Sequence, residues 1–98
     1  MKLPGNMQSM MKQAQQMQQR MQEQLAAIRV DATAGGGMVA VKMDGHKNLL
    51  GITINPEVAG DVEMLQDLVM AAVSEAIKKV DGESQKAMSA LGLPPGLM

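Results

Sequence analysis

Cysteine is absent from this 98-residue chain, and so are phenylalanine, tyrosine and tryptophan. Without cysteine no disulfide or zinc cluster can staple a small fold, and a reducing compartment suits such a chain. Without aromatics the core loses its largest single contributions. A chain this short buries a limited share of its surface, so oligomerisation is the remaining common source of stability. Long apolar runs are missing too. The longest, residues 68–73, falls far short of a membrane span, and Met1-Lys2 does not lead into the apolar stretch of a secretory signal. The expectation is a single cytoplasmic domain over residues 1–98, with no membrane contact. Residues 1–5 form an N-terminal arm. Residues 93–98 form a flexible tail that folding does not need, because Leu93-Pro94-Pro95-Gly96 cannot join a helix or ladder.

Charge is scarce, with a net of −1, but it is unevenly spread. The four cations Lys2, Lys12, Arg20 and Arg29 face one acid, Glu23, within the first thirty residues. From residue 61 onward six acids outnumber Lys78, Lys79 and Lys86. The Debye length at physiological salt is about 8 Å, whereas a 20-residue helix is about 30 Å long. A basic end can therefore attract a polyanion although the whole chain is slightly acidic.

What the chain has in abundance is methionine and glutamine. The stretch MMKQAQQMQQRMQEQ, residues 10–24, holds four methionines and seven glutamines. A helix is predicted from Asn6, as N-cap after Pro4-Gly5, to Ala27. Met7, Ala14, Met21 and Ile28 recur every seven residues, with Met10, Met17 and Gln24 as a companion seam. That is an amphipathic stripe of coiled-coil-like spacing. The stripe is too long for one small protomer to bury, so Met7, Met10, Met17 and Met21 are the candidate dimer interface, a use that suits adaptable methionine.

Three runs then alternate with period two: Ile28–Ala34, Met38–Asp44 and Leu50–Asn55. Their β-branched residues predict half-buried strands. Gly35-Gly36-Gly37 and Asp44–Asn48 are short, glycine-containing links, which make the strands an antiparallel meander. Pro56 suits a short helical turn. Asp61 caps a second long helix whose apolar face, Val62 through Val80, is broad enough to cover a sheet. A bend or fray is expected near Asp81-Gly82. The fold class is α+β, in the order helix, three-stranded antiparallel meander, helix, assembled as a homodimer.

Little here resembles catalytic chemistry. His46 is the lone histidine, in a turn, with no serine or cysteine nucleophile near it in sequence, and reads as solvated. Asp61, Glu63 and Asp67 lack EF-hand spacing and read as acids suited to a helix N-terminus. Gly35-Gly36-Gly37 opens a strand, not a helix, and lacks the Lys-Ser or Lys-Thr of a phosphate loop. No catalytic residue, metal, cofactor or small-molecule substrate is expected. The polar face of the first helix is more informative. Lys12, Gln16 and Arg20 fall on one line at i, i+4 and i+8, with Gln13 and Gln19 alongside. Lysine and arginine can neutralise phosphates, and glutamine can donate to phosphate oxygens or read adenine edges. A plainly solvated face is the competing reading.

The set MMKQAQQMQQRMQEQ, GGGMVAVKMDG, ITINPEV, EMLQDLVMAAVSEAIKK and GLPPG, in that order from Asn6 to Gly96, resembles the YbaB/EbfC family of bacterial nucleoid-associated proteins. The resemblance implies a nucleoid-associated cytoplasmic homodimer whose long helices project from a central β body. It implies binding to double-stranded DNA with little sequence preference, and a part in nucleoid organisation, recombination or repair. Lys12, Gln13, Gln16 and Arg20 match the family's Lys-Gln-rich first helix. Lys2, Lys78 and Lys79 complete the candidate DNA-binding set. The chain departs from the family pattern at Ser74, where asparagine is common, and in having fewer basic residues near its helix ends. The alternative reading is a protein-interaction dimer whose methionine surfaces bind a protein partner, with DNA contact incidental.

Overall fold

The computed structural model describes residues 5–92, so the expected N-terminal arm, the expected C-terminal tail and Lys2 lie partly or wholly outside the described residues. The described chain runs α1 (Gly5–Ala27), β1 (Arg29–Ala34), β2 (Val39–Asp44), β3 (Leu49–Ile54), a 3-10 turn (Pro56–Val58) and α2 (Val62–Ala90). The strands form one antiparallel sheet in the order β1-β2-β3. This is the expected helix, meander, helix. The molecule is elongated, 67 Å by 21 Å by 17 Å.

Local sequence explains most boundaries. The three glycines of the first hairpin all take positive φ, which favours glycine. Asn55 caps the 3-10 turn by accepting from the Glu57 amide at 2.9 Å. Asp61 caps α2 by accepting from the Met64 amide at 3.1 Å. Two expectations are corrected. Asn6 lies within α1, which already begins at Gly5, so it is not the N-cap. The fray at Asp81-Gly82 does not occur: α2 is one continuous helix to Ala90. Continued burial of Ser84 and Met88 beyond the glycine holds the last turns in line.

The core lies between α2 and two strands. Val30 and Ala32 of β1, and Val39, Val41 and Met43 of β2, share one sheet face by register and are buried. Against them pack Ala72, Ala76 and Val80 of α2. The buried row of α2 continues as Ser84 and Met88, always four residues on. Each step of four advances about 40° around a helix of 3.6 residues per turn. The buried line therefore winds around α2 and runs on past the sheet core, and α1, whose less exposed side chains are Met21 and Leu25, also touches α2.

Strand β3 departs from the half-buried expectation. Ile52 and Ile54 stand opposite Val41 and Val39 on the core face, yet all six residues of β3 are exposed. The reason is width: α2 packs on β1 and β2 and does not extend over β3. A register shift between Lys42 and Met43 sets Leu49, not Leu50, opposite Met43, and both leucines are exposed.

Gly82 offers a check on the continuity of α2. A Cβ there would meet nothing within 4 Å. Gly82→Ala should stabilise the fold by about 0.5–1 kcal/mol, as helix propensity dictates. Thermal melting should show the rise, and a fall would mean that α2 does need a bend at this position.

Candidate nucleic-acid interface

Helix α1 reaches beyond the body. Every described side chain from Asn6 to Arg20 is exposed. Lys12 lies 15 residues before Ala27, which at the helical rise is about 22 Å along the axis. Lys12, Gln16 and Arg20 form the line that the spacing predicts, with Gln13 beside it. Gln13, Gln16, Met17 and Arg20 border a shallow surface hollow. The ion pairs among the described residues are Lys47–Asp81 and Lys86–Glu83, so neither Lys12 nor Arg20 is committed to a carboxylate. Glu23 is the one acid of α1. The face can therefore take phosphate without first breaking an internal pair.

The other candidates are placed differently. Lys78 and Lys79 are exposed on α2, separate from the α1 line. The Lys79 ammonium donates to the Asp31 carbonyl oxygen at 2.6 Å, at the outer strand β1. Sequence reasoning counted Lys79 as a phosphate ligand and missed this bond, for which the strand–helix spacing gave no signal. The methionine stripe is open in the single chain: Met7, Met10 and Met17 are 47%, 66% and 37% exposed, and only Met21 is half-buried.

Exposed apolar side chains went unread in the sequence: Leu49, Leu50, Ile52 and Ile54 on β3, and Val62, Met64 and Met70 on α2. A groove of about 430 Å³ runs between Val62, Leu65, Gln66, Val69 and Met70. Both parts continue the core, since Leu65 and Val69 pack against it and Ile52 and Ile54 pair with its strand.

The acids and the histidine hold structural positions. Asp44 organises the β2–β3 turn: its carboxylate accepts from the His46 amide (2.9 Å), the Asn48 amide (3.0 Å) and the Asn48 side-chain amide (3.2 Å). The Asn48 backbone amide above all, aided by the Asn48 side chain and by His46, holds the Asp44 carboxyl below the usual carboxylate range. Among the described residues no group of three or more His, Cys, Asp or Glu could hold a metal ion. No helix among them is long and apolar enough to cross a membrane.

An open sheet edge, one long covering helix and a second helix projecting with a basic, glutamine-rich face define a small α+β protein built to present a helical arm. The comparisons narrow this class. The model of the YbaB/EbfC DNA-binding family matches residues 2–94. The chain belongs to that family. It is 47% identical to a nucleoid-associated protein of Acidobacterium capsulatum, across 96% of this chain and 97% of that one. It is 50% identical to one of Koribacter versatilis, across 91% and 94%, and 49% identical to one of Acetivibrio thermocellus, across 95% and 90%. The crystal structure of an uncharacterized Helicobacter pylori protein shares the fold, with a TM-score of 0.77 at 19% identity over 92% of this chain and 98% of that one.

The Asp44 turn supplies a pH test. Because the folded pKa is depressed, the carboxylate stabilises the turn above its unfolded pKa. That contribution is lost as pH falls through the lower folded value, below about pH 4. The His46 and Asn48 amides should exchange faster with solvent there. Asp44→Ala should produce the same fast exchange at neutral pH. Equal protection in parent and variant at neutral pH would remove Asp44 from this role.

Proposed function

We propose that the protein is a nucleoid-associated, non-enzymatic DNA-binding homodimer that uses α1 as its contact arm and takes duplex DNA with little regard to sequence. The observation that carries the reading is the exposed Lys12–Gln16–Arg20 line, without internal carboxylate partners among the described residues. Membership of a DNA-binding family and the printed names of its relatives support it. Charge on this line acts on phosphates, which carry no sequence information. Nucleoid organisation, recombination or repair is the setting in which such binding would act.

The dimer is part of the proposal. Two edges are open in a three-stranded sheet, and unguarded edges invite pairing. Here they differ. Lys79 caps a carbonyl of β1, whereas no side chain among the described residues caps β3. β3 also presents exposed Leu49, Leu50, Ile52 and Ile54, and α2 leaves an apolar groove at Val62, Leu65, Val69 and Met70. We therefore assign the main contact between copies to β3 and the groove of α2. The α1 stripe of Met7, Met10, Met17 and Met21 contributes second. A protein-interaction dimer is the alternative, and binding to a protein partner that survives nuclease treatment would favour it.

Two measurements test the reading. Light scattering at micromolar concentration should give about twice the mass of one chain. Ile52→Lys with Ile54→Lys should give monomer, while Met10→Gln with Met17→Gln should leave the dimer. A monomeric parent sinks the dimer, and the reverse pattern of variants moves its main contact to α1.

For DNA, Lys2, Lys12 and Arg20 offer at most three phosphate contacts per chain. A dimer then gives a log–log salt slope of about −5, at about −0.9 per neutralised phosphate. Lys12→Gln with Arg20→Gln keeps helix propensity and should reduce that slope by about 3 to 4 units while the dimer persists. An unchanged slope and affinity would mean that the contact is not on α1.

A further inference from the structure

Helix α1 is held at one end only. Its described side chains become partly buried only at Met21 and Leu25, and a single residue, Ile28, separates it from β1. The Arg29 guanidinium donates to the Ala26 carbonyl in the last turn of α1 (2.6 Å) and to the carbonyl of the linking Ile28 (2.8 Å). The register decides what else it meets. Arg29 pairs with Asp44, so the residue after Asp44 lies level with the end of α1. That residue is Gly45. A Cβ built there would fall inside contact distance of the Leu25 carbonyl oxygen, with the Leu25 carbonyl carbon at 2.7 Å and its Cα at 2.9 Å. These are backbone atoms, which cannot rotate aside. The φ of Gly45 is not positive, so its conformation does not demand glycine. Space alone demands it.

The turn that carries Gly45 is itself braced. Its Asp44 carboxylate accepts three bonds. Lys47 sits at φ 65° and its ammonium pairs with Asp81 of α2 at 3.1 Å. The β2–β3 turn is thus tied to α2 on one side and pressed against the end of α1 on the other. The core itself draws on β1, β2 and α2 and includes no residue of α1.

We propose that Gly45 is a positioning residue. By allowing backbone contact between the β2–β3 turn and Leu25, it fixes the direction in which α1 leaves the body, and so the spacing of the two DNA-contacting arms in the dimer. The inference rests on the reading of α1 as the DNA contact. Any side chain at position 45 pushes α1 away from the turn while the body keeps its core.

The absence of cysteine makes the test clean. Spin labels at Gln13→Cys on α1 and Glu75→Cys on α2, with labelled chains diluted into unlabelled protein, report the arm direction as a distance. Gly45→Ala should shift or broaden that distance, while Gly82→Ala, whose Cβ meets nothing, should not. Random duplex DNA should bind the Gly45→Ala dimer at least about tenfold more weakly, because arms that no longer reach one duplex together lose their effective-concentration gain. An unchanged distance overturns the proposal. A shifted distance with unchanged affinity overturns its link to DNA, whereas failure of the α1 reading itself shows separately in the Lys12 and Arg20 variant. If Gly45→Ala does not fold, Lys47→Ala keeps the test, since it adds no atoms and frees the turn from Asp81. Its distance distribution should broaden, and an unaltered one counts against the joint.

Discussion

The structure depends on the close seating of α2 on β1 and β2. Alanine at positions 72 and 76 lets the helix backbone approach the sheet, and Val80 fills the space as the contact ends. With no aromatic ring in the chain, small and branched aliphatic side chains, with Met43, have to fill this layer. One helix is narrower than three strands. Once α2 is centred on β1 and β2, β3 must remain bare, and the exposed edge, the apolar groove and the case for a second copy all follow from that mismatch.

The same seating explains the second use of α2. Its buried row advances by four residues and so winds about the helix axis. The row leaves the sheet core after Val80 and stays buried at Ser84 and Met88. One helix thereby closes the core and also touches the arm. The polar line on α1 stays outside both contacts, which is why it can remain rich in glutamine. Glutamine keeps a helix soluble without adding the negative charge that would repel phosphate. Glutamate in its place would turn the arm from a polyanion.

The two sheet edges show how single side chains alter what a surface invites. Lys79, from the middle of α2, occupies the carbonyl of Asp31 and blunts β1. Nothing equivalent among the described residues reaches β3. Its Leu49, Leu50, Ile52 and Ile54 present apolar surface beside an open ladder edge. Lys79, counted among the candidate phosphate ligands in the sequence, thus sits beside a sheet edge.

Much of this was legible in the sequence, because periodicity and caps act over a few residues. The period of two marked three strands, the glycines marked the hairpin, and Pro56 and Asp61 marked helical starts. The i, i+4, i+8 spacing was enough to align Lys12, Gln16 and Arg20, since helical geometry alone does so. Sequence also identified the family through its ordered motifs. It did not reveal that β3 is exposed, because alternation reports which residues share a face and not whether a helix is wide enough to cover it. It did not foresee the unbroken path of α2 through Gly82, where continued burial at Ser84 and Met88 outweighs one residue's propensity. It gave no sign that Gly45 meets Leu25, twenty positions earlier. That contact exists only because strand register brings the end of one turn against the end of one helix, and register is decided when the tertiary structure forms.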